Sequence, residues 1–331
     1  MTDGIDLLRT IFVNDRGEAR CGWRIFVFVV VVIASGLILS GVLDGFATLF
    51  PSLRYLQTEP APSDEYVSPR ELAFLATNKL IIFFAAIVAT SLCARLLERR
   101  SFASVGFKLH RGWFRDFALG SALGCATMAI VAGILYGMGA ARFDTQPTRD
   151  LPLTTGLAFS FFFMLVAAAT EELLFRGFAF QALTYDLGPT AAILGTSVLF
   201  GLLHLPNPHS TVFSTINTVL AGLWLGAAYL LTRSLWLATA LHYSWNFAMA
   251  CLFGLPVSGI TTLNRLSLLR GVASGPRWLS GLDYGPEGGI VACVAILASI
   301  FVIWKGGLFS SSEEMKEAVR HGERETMPRI T

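Results

Sequence analysis

The sequence predicts an all-α, polytopic membrane protein with about eight transmembrane helices. Three observations lead there. The mean hydropathy is +0.61. Of the 331 residues, 54% are hydrophobic and only 15% are charged, where a soluble chain carries about 25% charge. Apolar runs long enough for a bilayer, which needs ~20 residues per crossing, recur along the whole chain.

Each run has its own justification. The first covers 24–50, RIFVFVVVVIASGLILSGVLDGFATLF, with Asp44 near its outer end. The second covers about 71–94 and carries Asn78 and Lys79; snorkelling or an ion pair is the simplest account of that lysine. The third covers about 116–138. The fourth starts near 155 and runs through the pair Glu171-Glu172. The fifth, about 189–205, is stopped by Pro206 and Pro208. The sixth covers about 211–231, the seventh about 234–255 and the eighth about 289–304.

Lys and Arg placement gives the orientation. With the N-terminus in the cytoplasm, most of them fall on cytoplasmic segments, chiefly 95–115 and the residues after 305. The N-terminal stretch does not read as a signal peptide. In the long connection 256–288, Leu263, Leu266, Leu268 and Leu269 suit either a short helix lying at the interface or ordinary loop packing. A net charge of +2 gives no case for nucleic acid as a partner. Cys21, Cys93, Cys125, Cys251 and Cys293 are widely spaced and read as small side chains within the spans, not as metal or redox pairs. His321 stands in a polar C-terminal stretch and reads as solvated.

Charges inside apolar runs are costly and mark function by default. Glu172 and Arg176 are spaced i,i+4, share a helix face and can pair. Glu171 is one residue round and points elsewhere, and one arginine does not easily serve two diverging carboxylates. A carboxylate without a partner in apolar surroundings suits a general base. His204 ends the fifth run, one turn after Phe200, among few polar neighbours. His242 and Asn246 again stand i,i+4 in an otherwise apolar run. They make either a structural pair or a pair of donors for an oxyanion. His209 reads as a loop residue, and Ser210 and Ser244 show no triad pattern.

Taken in order, EExxxR at Glu171-Glu172-Arg176, FxxxH at Phe200-His204 and HxxxN at His242-Asn246 resemble the CAAX-prenyl-protease and bacteriocin-processing family of intramembrane proteases. The resemblance spans about 155–250. It implies hydrolysis of a peptide bond in a membrane-associated peptide or protein. It implies that Glu171 and His204 activate water, that His242 and Asn246 hold the oxyanion, and that Glu172 pairs with Arg176. It also raises zinc as the one candidate cofactor, since Glu171, His204 and His242 make a His₂Glu set with an open water position. The same residues suit a metal-free route, which is the reading favoured.

On this basis the chain divides into 1–150, the N-terminal spans; 151–255, the catalytic helix core; and 256–331, an external loop, the last span and a polar cytoplasmic tail. Nothing in it is distinctively eukaryotic, so a bacterial inner membrane with both termini cytoplasmic is expected. Two other classes compete. A non-catalytic scaffold or immunity partner of the same fold would not depend on Glu171. A transporter would need interrupted helices in two halves, whereas the polar clustering starts only after residue 170.

Overall fold

The first apolar run folds as α1, Cys21–Leu49, and few of its side chains are covered by protein. Leu37 is 69% exposed and Ile38 66%, as suits side chains that meet lipid. In this computed structural model, residues 12–14, 17–60, 67–145 and 151–318 are described. The polar end with His321 lies outside them. After α1 come α2, Pro69–Leu97, and α3, Trp113–Gly137. The signals that start α2 are local. Ser68 accepts a hydrogen bond from the Glu71 amide at 3.0 Å, Pro69 takes the first position, and Glu71 lies in the first turn.

The central segment holds α4, Leu153–Glu172, a π turn at Leu173–Gly177, and α5, Phe178–Leu187. It continues with α6, Pro189–Leu203, and α7, Val212–Thr232, which starts on a reciprocal Thr211–Ser214 capping box. Then come α8, Leu235–Phe247, and a second π turn at Ala248–Leu252. The last helix is α9, Ile290–Lys305. Among the described residues, five stretches are long and apolar enough to cross a membrane, namely α1, α2, α3, α4 with α5, and α7. The protein is thus a predominantly helical, multi-pass chain.

In lipid, helices gain little from hydrophobic exclusion, so close packing must hold them together. Gly124 shows this. A Cβ there would run into Ser244 and lie 2.7 Å from the Leu241 carbonyl, so only glycine lets α3 lie against α8. Met128 and Leu135 of α3, Trp224 of α7, Leu241 and Trp245 of α8 and Ile296 of α9 share one core. At the other end, Arg24 of α1 bonds Glu98 at 2.8 Å and Asp186 at 2.7 Å, which ties α1 to the ends of α2 and α5.

Two expectations need correction. The chain is not all-α. Ala141–Thr145 (β1) and Leu269–Ala273 (β2) form an antiparallel pair, with Phe143 opposite Gly271. The interfacial-helix option for 256–288 also fails. Leu263 and Leu266 are buried in a core with Met164 and Cys251, Leu269 joins β2, and only Leu268 of the four is exposed. The loop folds onto the helices because its leucines find protein partners there. The cysteines are all free, with Cys21, Cys93 and Cys251 buried. Asp44 is exposed on α1.

Candidate active site

Glu171 and Glu172 end α4, and the π turn that follows widens the winding at that point. Such turns recur at functional sites. Arg176 lies in the turn and still reaches back. Its Nη1 donates to Glu172 Oε1 at 3.2 Å, and its Nη2 donates to the Gly222 carbonyl at 3.0 Å. Both side chains are 0% exposed. The guanidinium carbon stands 4.8 Å from the Phe200 ring centroid, within cation–π range. Gly222 is required because a Cβ there would meet Ser197 at 2.8 Å; its absence lets α6 and α7 close up beside Arg176.

His242 enters from α8. Its Nδ1 lies 2.8 Å from Glu172 Oε1, and its Nε2 lies 3.7 Å from Glu171 Oε2. The two carboxylates were expected to diverge, yet they converge on one imidazole. The ring has two nitrogens on different edges, so one histidine bridges the angle that separates neighbouring helix positions. Glu172 accepts from both Arg176 and His242, so Nδ1 carries a proton and Nε2 faces Glu171.

His204 caps the C-terminus of α6. Its Nδ1 lies 2.7 Å from the Phe200 carbonyl, which can only accept, so the proton sits on Nδ1 and Nε2 is left free to act. Asn246 is one turn beyond His242. Glu171, His204, His242 and Asn246 line one cavity of about 340 Å³. Glu172 and Arg176 are sealed behind it. The exposed His209 is elsewhere in the turn after α6. The Ser244 hydroxyl donates to the Leu241 carbonyl within its own helix.

Sequence reasoning missed Glu287. It stands in a Gly- and Pro-rich stretch just before α9, where no periodicity marks it. It also lines the cavity. Its carboxylate accepts from Trp245 Nε1 at 3.0 Å, the Ser258 hydroxyl at 2.6 Å and the Ser258 amide at 2.9 Å. The loop is thereby tied to α8 next to Asn246.

The zinc option was tested on the donors. Nε2 of His242 and Oε2 of Glu171 approach one another, and the Glu172–His242 bond is of the kind that orients a metal-binding imidazole. Among the described residues, however, no three His, Cys, Asp or Glu side chains are grouped so as to share an ion. His204 does not complete the set, so no step is routed through a metal.

Residues 153–248 match the family model described as type II CAAX prenyl endopeptidase, Rce1-like. The matched segment begins at the first residue of α4 and ends just past α8. Glu171, Glu172, Arg176, His204, His242 and Asn246 all lie inside it, while α1, α2, α3 and α9 lie outside. None of the curated proteins matches the chain.

Proposed function

We propose that this protein is a membrane endopeptidase that hydrolyses a peptide bond of a membrane-associated peptide or protein. One observation carries the reading. Glu171 and His242 Nε2 stand 3.7 Å apart in the wall of a cavity, and a fully buried Glu172–Arg176 pair fixes the ring from behind. A scaffold would have no need of two carboxylates trained on one imidazole inside a cavity.

In this reading Glu171 takes a proton from the attacking water, with His204 Nε2 as a second acceptor. The water oxygen bonds to the carbonyl carbon, and charge develops on the carbonyl oxygen. Asn246 donates to that oxyanion. His242 can donate through Nε2 only when both ring nitrogens carry protons, because Nδ1–H is committed to Glu172. Glu171 faces that nitrogen, so the proton taken from water reaches the ring and then the leaving amine. The C–N bond breaks, the amine departs protonated, and Glu171 is again a carboxylate.

The five long stretches, together with the shorter helices α6, α8 and α9, are read as the eight crossings. The Lys and Arg distribution favours both termini on the cytoplasmic side, and a bacterial inner membrane is the proposed location. The test is direct. Purified protein in liposomes, mixed with a panel of membrane-associated peptides, should yield new peptide termini by mass spectrometry. Intact peptides after prolonged incubation with folded protein would refute the reading and favour a scaffold.

A further inference from the structure

We propose that Lys79 receives a carboxylate of the peptide substrate and so sets which bond lies against Glu171; the inference rests on the proteolytic reading above. Lys79 stands on α2, ~15 Å along the axis from Pro69, with Leu75 and Ile82 beside it on the same face. All three line the cavity that holds Glu171, and Lys79 is the one Lys or Arg among its lining residues. Lys79 therefore borders the cavity from a half-buried position, whereas a lysine that merely snorkels runs along the lipid face.

Its charge is unserved. Among the described residues no carboxylate lies within ion-pair distance of Lys79. The acidic groups in the cavity have other partners. Glu171 faces His242, and Glu287 is bonded to Trp245 and Ser258. On its other side Lys79 borders a second cavity of about 200 Å³, walled by Phe159, Phe162 and Phe163. Toward that second cavity the ammonium meets only apolar walls, and toward the first it meets polar side chains whose carboxylates are already engaged. An unpaired cation at that depth is costly, and an incoming anion removes the cost. The geometry then works as a ruler. A carboxylate held at Lys79 and a scissile carbonyl held at Glu171 fix the length of peptide between them.

The probe is a set of synthetic peptides in phosphatidylcholine liposomes, neutral or with added anionic lipid. Each sequence is made with a free or amidated C-terminus, and with one acidic side chain, one basic side chain or neither. The unmutated protein should favour peptides that carry a carboxylate, by roughly tenfold or more, and cut them at a fixed distance from it. Amidation and acid removal tell which carboxylate is read. Lys79→Arg should keep the preference. Lys79→Met should raise KM for the favoured peptides by a similar factor while kcat persists, and the fixed distance should be lost. Lys79→Glu should turn the preference toward peptides with a cationic group, which no structural role would produce.

Identical product sets from the unmutated and Lys79→Met proteins overturn the inference. So does an effect of Lys79 that follows anionic lipid content rather than the peptide carboxylate. No cleavage by the unmutated protein overturns the proteolytic reading itself, and the inference with it.

Discussion

Arg176→Met removes the guanidinium bonded to Glu172 and leaves the buried carboxylate with His242 as its remaining partner among the described residues. Breaking a buried ion pair from one side costs ~3–5 kcal/mol. The Gly222 carbonyl also loses its side-chain donor, which adds ~1 kcal/mol. The Phe200 ring loses the guanidinium 4.8 Å from its centroid, a further contribution of up to ~2 kcal/mol. These terms overlap, so the expected loss is on the order of 5 kcal/mol. A double variant, Glu172→Leu with Arg176→Met, strands no charge and should recover most of that loss. Activity should not recover, because His242 has lost the acceptor that orients its ring. Melting in detergent measures the first effect and turnover per folded molecule the second. If the double variant melts as low as Arg176→Met, the pair is not the source of the cost. If it turns over like the unmutated protein, Glu172 does not position His242.

Asn246→Ala should lower kcat by roughly 10²–10³ with KM nearly unchanged, the loss expected for one oxyanion donor; normal kcat with a lowered melting temperature would leave Asn246 as helix packing alone. Gly124→Val should cost ~1–3 kcal/mol by prising α3 from α8 and should lower activity as well, because α8 carries His242 and Asn246. Gly133→Val on the same helix is the control, since a Cβ there meets nothing within 4 Å; equal melting of the two variants would show that Gly124 does not seat α8.

Much of this was legible in the sequence because it is local. The helices follow apolar runs, and their starts follow side chains within one turn, such as Ser68 with Glu71 and Thr211 with Ser214. The Glu172–Arg176 pair follows from a single helical spacing. What was not legible depends on contacts far apart in the chain. Glu171 and Glu172 converge because a ring from position 242 fills the angle between them, and no spacing within α4 reports that. The strands 141–145 and 269–273 are five residues each, and neither carries an alternation strong enough to announce a partner so distant. Glu287 acquires its place only when the loop folds back on Trp245. The π turn at Leu173–Gly177 keeps the residue types of an ordinary helix, so sequence pattern cannot separate the two.

The proposed mechanism rests on Glu171 activating water for peptide hydrolysis. Glu171→Gln keeps the size and polarity of the side chain and removes its capacity to take a proton. Glu171 is partly open to the cavity, at 29% exposure, so the exchange strands no buried ion and the melting temperature should stay close to that of the unmutated protein. The measurement is single-turnover cleavage of a liposome-bound peptide at matched amounts of folded protein. A loss of roughly 10²–10⁴ in rate is expected, the range of general-base catalysis. Cleavage by Glu171→Gln at the unmutated rate would contradict it.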